Sequence, residues 1–298
     1  MRKWLRKYSK NYLMLLPFFV LYSIFFIYPV LFGTYISFQS WDSVHKPSWV
    51  GLENYVNTVT SPAFATVSTN LLKYVAVAIP LGVLLAFGLA VLVDSYKDTV
   101  WGRIFRSAYF VPVMVPLFLT ASIWRWMFTP DVGLINTILG KVGVGPIFWL
   151  TDPKVMVVSV IIVDAWASAG FNMLLLLGGM KNIPSEYYDA ARIDGANKLQ
   201  EVFYITIPQL EPIFFLVIVY GFISALQVFD VPWILTHSKF DAYGGPQLGM
   251  AFPVMSMMAR AFNTLKFGGA AAYGLILMLF ILILTVFQFA IRRRQASE

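Results

Sequence analysis

Cysteine is missing from this chain, and histidine occurs only as His45 and His237. Disulfide frameworks, thiolate metal sites and cysteine nucleophiles are therefore excluded, and two histidines cannot build a histidine-rich metal site. Charge is scarce as well: 12% of residues are charged, against about 25% in an ordinary soluble domain. No phosphate-cradling G-x-x-x-x-G-K-[ST] loop is present. The nearest candidate, Gly133 to Lys141, has the wrong spacing and is followed by Val142. Neither H-E-x-x-H nor G-x-S-x-G occurs, so the chain shows no motif of its own for ATP or peptide hydrolysis. What is present is apolar. Of 298 residues, 59% are hydrophobic and 17% aromatic, and the mean hydropathy is +0.72. That excludes disorder and exceeds what one soluble core can hide. The composition is that of a membrane protein.

A membrane-crossing helix needs about 20 mostly apolar residues. Six stretches qualify, at about 11–38, 72–93, 107–128, 155–180, 212–236 and 267–291. None alternates with a period of two, so a barrel is excluded and the fold class is an all-α membrane protein of six helices in a single 1–298 domain. The cationic residues orient it. Arg2, Lys3, Arg6, Lys7, Lys10, Lys97, Arg103, Arg106, Lys181, Arg192, Lys198, Arg292, Arg293 and Arg294 share one side if both termini are cytoplasmic. The net charge of +7 is thus an orientation signal and not a nucleic-acid footprint. The first apolar run far exceeds a signal-peptide core of 7–15 residues and has no A-x-A site after it, so it is expected to be retained. Trp41, Trp149, Trp233, His45 and His237 are expected to anchor the membrane interface. The outer connections, about 30 residues each, are too short for a folded receptor domain. An energy source or high-affinity receptor would have to be another polypeptide.

The longest cytoplasmic connection, 181–211, carries the most information. In Ile183-Pro184-Ser185-Glu186-Tyr187-Tyr188-Asp189-Ala190-Ala191-Arg192-Ile193-Asp194-Gly195, Ser185 is suited to cap a short helix whose first turn holds Glu186. Gly195 is suited to end it in a left-handed conformation. A second helix is expected from about Asn197 to Pro208. The small Ala190 and Ala191 allow close approach of another surface, and Tyr187, Tyr188 and Ile193 can fill a groove. On residue chemistry alone, a solvated hairpin accounts for the segment equally well.

Polar residues within the spans mark cavities or partners. Asp164, Ser168, Phe171 and Asn172 share one face of the fourth span. In the fifth, Tyr220, Ser224 and Gln227 share a face beside Gly221. Hydroxyls and aromatic faces suit a saccharide. Interhelical hydrogen bonding is the other use of Ser, Asn and Gln in a membrane, and Gly82, Ala86 and Ala90 would let helices approach closely. Asp230 sits nearer the outer end, where it can be solvated.

The pattern Asp189-Ala190-Ala191, Gly195, Ile205-x-Ile207-Pro208 resembles the EAA motif of ABC-importer permeases, with Asp189 for glutamate and Ile207 for leucine. Asp194-Gly195-Ala196, Val50-Gly51-Leu52-Glu53-Asn54-Tyr55, Phe105-Arg106-Ser107 with Pro112, Ile123-Trp124-Arg125-Trp126-Met127-Phe128, Gly133-Leu134-Ile135-Asn136 and Thr151-Asp152-Pro153 are similar to the carbohydrate-importer branch. The likeness runs from about Pro17 to Arg292 and is strongest to the first permease of maltose- and glycerol-3-phosphate-type systems. Two places depart from it. Six extra residues separate Leu235-Thr236 from Gly244-Gly245-Pro246, and the last span opens with Gly268-Gly269-Ala270-Ala271.

This resemblance implies a type I importer permease fold in the cytoplasmic membrane of a bacterium or archaeon. It implies a second homologous permease, two copies of a cytoplasmic ATPase that use ATP and Mg, an extracytoplasmic solute-binding protein and a carbohydrate substrate. The chain itself would bind no cofactor and catalyse nothing. Glu186, Asp189, Ala190, Ala191, Arg192, Asp194 and Gly195 would couple it to the ATPase. Asp164, Ser168, Phe171, Asn172, Tyr220, Gly221, Ser224 and Gln227 would line the substrate path. The competing expectation is a secondary transporter or channel that uses Asp164 without ATP.

Overall fold

The structure is a computed structural model that describes residues 2–96, 99–237 and 242–295. Lys97, the side chains of residues 2–11 and part of the extra segment after Thr236 lie outside the described residues. The chain divides into two compact units, residues 1–61 with 257–278, and residues 62–256 with 279–298.

The first unit opens with α1 (Arg2–Tyr22), a π-helical turn (Ser23–Ile27) and α2 (Tyr28–Ser37), which form one continuous apolar helix from Tyr12 to Ser37. A two-residue antiparallel ladder follows, with β1 (Gln39–Ser40) pairing Gln39 to Trp49 and Ser40 to Ser48 of β2 (Ser48–Trp49). Next comes α3 (Glu53–Val59). Asn54 donates from Nδ2 to the Ser37 and Gln39 carbonyls, both at 2.8 Å, which fixes the turn below the first helix. Gly268 packs against the same backbone. A β-carbon there would come within 1.8 Å of the Gln39 carbonyl oxygen, so the glycine at the start of the last span is a requirement of close approach. Arg260 donates to Thr58 Oγ1 at 2.7 Å and lies over the Tyr273 ring, 5.3 Å from its centre. Trp41, expected at the membrane interface, packs edge-on against Phe32 and tilts against Phe267.

The second unit holds α4 (Pro62–Ser95), α5 (Val100–Met114), α6 (Leu117–Met127), α7 (Leu134–Lys141), α8 (Met156–Met180), α9 (Ser185–Ile193), α10 (Lys198–Glu201), a π turn (Val202–Thr206), α11 (Ile207–Gln209), α12 (Glu211–Leu226) and α13 (Asp230–Leu235). A 3-10 turn (Pro246–Leu248) leads to α14 (Pro253–Phe262) and α15 (Phe267–Gln295), both of which run across the unit boundary. The main axis of this unit is α4 packed along α8. Gly82, Ala86 and Ala90 are buried on α4, and the two alanines pack with Met173, Leu176 and Leu177 of α8. Small residues permit that approach, as van der Waals contact drives helix association where lipid removes the hydrophobic difference. Gly170 does the same between α5 and α8: a β-carbon would come within 2.0 Å of the Tyr109 carbonyl oxygen. A second cluster gathers Tyr74, Phe128, Trp149, Met156, Leu235 and Phe252.

Among the described residues, four helices are long and apolar enough to cross a membrane, and the number rises to six if each of two bent pairs crosses once. The expected third span, 107–128, is two helices meeting at 97°. Pro116 explains the corner, because a residue before proline is driven out of the helical region, and Val115 is extended at φ −83°, ψ 125°. The expected fifth span, 212–236, is helical only to Leu226; the chain leaves the helix at Gln227–Phe229 before α13. Trp149 is corrected from interface anchor to core. It is 9% exposed, and its indole N–H donates to Asn136 Oδ1 at 2.9 Å. Asn136 also donates to the Pro130 and Ile147 carbonyls and accepts from the Ile147 N–H. One asparagine therefore closes the whole 130–149 connection. At the far end of the unit, Asn70 Nδ2 ties the Leu248 and Ala251 carbonyls to α4.

Candidate functional site

The connection after α8 folds as a braced elbow. Pro184, not Ser185, is the residue before the first helical turn. Proline fixes the φ angle that turns the chain into the helix, so Ser185 falls at the first helical position and its hydroxyl caps nothing. The other end is as expected. Gly195 has φ +84°. Its N–H bonds the Arg192 carbonyl at 3.1 Å, and the Ala196 N–H bonds the Ala191 carbonyl at 2.9 Å. This pair of bonds is a Schellman cap. Two residues on, Asn197 caps α10 in a reciprocal box with Gln200. Such a box satisfies two of the orphan N–H groups at a helix start.

Arg192 spans the elbow. Its Nε donates to Glu201 Oε1 at 2.9 Å and its Nη1 to Asp189 Oδ1 at 3.2 Å. The Glu201 side chain is only 7% exposed, and the hydrogen bond to it raises the guanidinium above its already high range. Tyr188 and Thr206 add a hydroxyl contact of 3.1 Å between the arms. Sequence reasoning did not single out Glu201; the Asn197-x-x-Gln200 box was the local signal that a helix start, and so a partner for Arg192, lay there. With its shape fixed internally, α9 has no buried residue. Glu186, Asp189, Ala190, Asp194 and Gly195 are exposed, Ala191 is half-buried, and Ile193 is 87% exposed. A surface hollow of about 240 Å³ is lined by Ala191, Asp194, Gly195, Ala196, Gln200 and Tyr204.

The polar residues singled out on α8 and α12 meet. Asp164, Ser168, Asn172, Tyr220, Gly221 and Ser224 line one small cavity of about 60 Å³. Asp164, Tyr220 and Ser224 also line a neighbouring one of about 270 Å³, together with Gln227 and Asp230. Phe171 lies beside them with its ring 6.0 Å from that of Tyr220. The second volume is just under the range of about 300–1,000 Å³ that small-molecule sites occupy. Tyr74 on α4 is the residue sequence reasoning missed: it is buried and lines the larger cavity with Asp164. Its position next to Lys73, at the edge of an apolar run, gave no signal. The Asn172 side-chain oxygen is buried and has no hydrogen-bond partner among the described residues. An unmet buried acceptor costs about 1–3 kcal/mol, so a donor entering that cavity would be rewarded. Wider hollows exist, of about 470 Å³ around Arg125 and about 540 Å³ around Asp42 and Glu53. Both are formed mostly by connecting segments, whereas the Asp164 cavities lie between apolar helices, where a polar lining has to be explained.

A helical membrane unit with a polar internal cavity and a braced, exposed elbow defines the class of a membrane transport subunit. The chain belongs to the family described as binding-protein-dependent transport system inner membrane component, which it matches over residues 78–297. It is 32% identical to the probable ABC transporter permease protein YurN of Bacillus subtilis (strain 168) over 93% of this chain and 94% of that one. It is 30% identical to the trehalose/maltose transport system permease protein MalF of Thermococcus litoralis, over 94% and 92%. The arabinooligosaccharides transport system permease protein AraP of Bacillus subtilis (strain 168) is 31% identical over 94% and 88%. The fold matches a chain of the bacterial alginate ABC transporter solved in complex with an alginate pentasaccharide-bound periplasmic protein. The TM-score is 0.86 at 20% identity, over 99% of this chain and 97% of that one. The chain is thus a multi-pass membrane component of a transport system, with the type I importer permease fold.

Proposed function

We propose that this chain is the transmembrane subunit of an ATP-driven carbohydrate importer, forming half of the translocation path and coupling ATPase closure to alternating access. The observation that carries the reading is the α9 elbow. A helix with no buried residue is ordinarily marginal, yet this one is capped at its C-terminal end and cross-braced by Arg192 and Glu201. That is the construction of a surface made to be gripped. In this reading both termini and the elbow face the cytoplasm, and Glu186, Asp189, Ala190, Ala191, Asp194 and Gly195 meet a cleft on an ATPase subunit. Two such ATPases bind ATP and Mg; a second homologous permease completes the path, and a solute-binding protein delivers the saccharide from outside. The chain itself is non-catalytic and holds no cofactor. Relatives named for trehalose/maltose and arabinooligosaccharides support a saccharide as cargo.

The second expectation, a gradient-driven carrier or channel built on Asp164, is not favoured by membership of this family. Purification of the tagged chain from its own cells tests the choice. Co-isolation of an ATPase and a second permease, with saccharide uptake that stops when ATP is withdrawn, is expected. Uptake that persists on a proton or sodium gradient without ATP would overturn the proposal.

A further inference from the structure

The two cavities on the path are acidic, with no cation among their described lining residues. Asp164 lines both and Asp230 lines the larger. Every other described lining group is neutral: Tyr74, Tyr220, Ser168, Ser224, Asn172, Gln227 and apolar side chains. Sites that take carboxylate, sulfonate or phosphate do the opposite, presenting arginine or lysine to the anionic group. An anionic sugar brought here would face the like charge of two carboxylates with no cation among the described lining residues to offset it, and like-charge juxtaposition disfavours a partner. A hydroxyl-rich neutral sugar finds complementary partners. Its hydroxyls can donate to the Asp164 and Asp230 carboxylates and to the unpartnered Asn172 oxygen. Its apolar faces can lie on the Tyr220 and Phe171 rings, which sit 6.0 Å apart at a 50° tilt.

We infer that the saccharide passed by this chain bears no anionic group, and that Asp164 and Asp230 enforce this by excluding sugar acids and sugar phosphates. The inference rests on the importer reading and narrows its substrate class. It assigns the two carboxylates a role in specificity: rejection of wrong cargo as well as hydrogen bonding to the right one.

Equilibrium dialysis of the detergent-purified, fully assembled transporter, without its solute-binding protein, tests this with maltotriose and trigalacturonate as probes. Retention of maltotriose should exceed that of trigalacturonate by about tenfold or more, a difference of about 1.4 kcal/mol. In the Asp164→Asn, Asp230→Asn double variant the preference should fall several-fold. Equal or greater retention of trigalacturonate by the unaltered transporter would overturn the inference. So would failure to retain either sugar, or an unchanged preference in the double variant. Co-isolation of the ATPase does not depend on sugar charge, so the importer reading and this inference fail by different results.

Discussion

Asp42 and His45 form a clasp in the first connection. The Asp42 carboxylate accepts from His45 Nδ1 at 2.5 Å and from the backbone N–H groups of His45 and Val44. The His45 side-chain bond, followed by those two N–H groups, lowers the Asp42 pKa from 3.8 to about 2, and the same bond raises His45 above 6.5. The signs differ. The Asp42 contribution is complete above 3.8 and is lost as pH falls through about 2. That of His45 is complete below 6.5 and is lost as pH rises through its elevated native pKa. The clasp is therefore whole only between those two ordinary values. Imidazole NMR titration should show the His45 pKa falling back toward 6.5 in Asp42→Asn, and an unchanged value would remove the pairing. Gly195 offers a second test at this scale. Nothing lies within 4 Å of a β-carbon built there, but its φ of +84° remains. The cost of substitution is thus conformational and not steric, roughly 1–2 kcal/mol for a residue that resists the left-handed region. Gly195→Val should leave membrane insertion intact and reduce ATP-coupled uptake about 5- to 30-fold. Gly195→Asn, which tolerates that region, should retain most of it. Equal transport by both would show that the cap does not matter.

At the scale of the element, the elbow stands on Arg192 and Glu201. Arg192 is about half-exposed while Glu201 is 7% exposed, so solvent screens one side of the pair and its loss should loosen the elbow only modestly. Glu201→Ala should speed backbone hydrogen exchange across 185–209 by about fivefold and leave exchange in α4 unchanged. Uniform exchange change through the second unit would refute a local brace. Hydropathy made the long helices legible, and glycine and small-residue spacing made the elbow legible, because these are properties of runs and of single backbone angles. The 97° corner was written in Pro116, but a charge-free stretch masked it as one span. The break at Gln227–Phe229 carries no glycine or proline before it. Tertiary packing decides it, with Leu226 and Val231 buried on either side. Similarly, the shared face of Asp164, Ser168 and Asn172 followed from helical period, whereas Tyr74 came from a helix some ninety positions away in sequence. No local pattern encodes that meeting.

For the molecule as a whole, the division of labour proposed above is open to a direct test. With no phosphate loop in its sequence, the purified subunit should hydrolyse no ATP alone. Addition of the isolated ATPase should give hydrolysis that assembly with the permeases accelerates. Hydrolysis by the lone chain, free of contaminating ATPase, would refute the non-catalytic role. A further consequence follows from the two caps at 195 and 197, which set the elbow angle through backbone bonds and a single asparagine–glutamine exchange. Most of the shape is thereby set by the backbone at one end of α9 and not by the side chains along it. The exposed side chains of Glu186, Ala190 and Ile193, which take no part in either cap, can vary without disturbing the bend that presents them. If α9 is the ATPase contact proposed above, a lineage can retune which ATPase it accepts by surface substitution alone, keeping the bend unchanged.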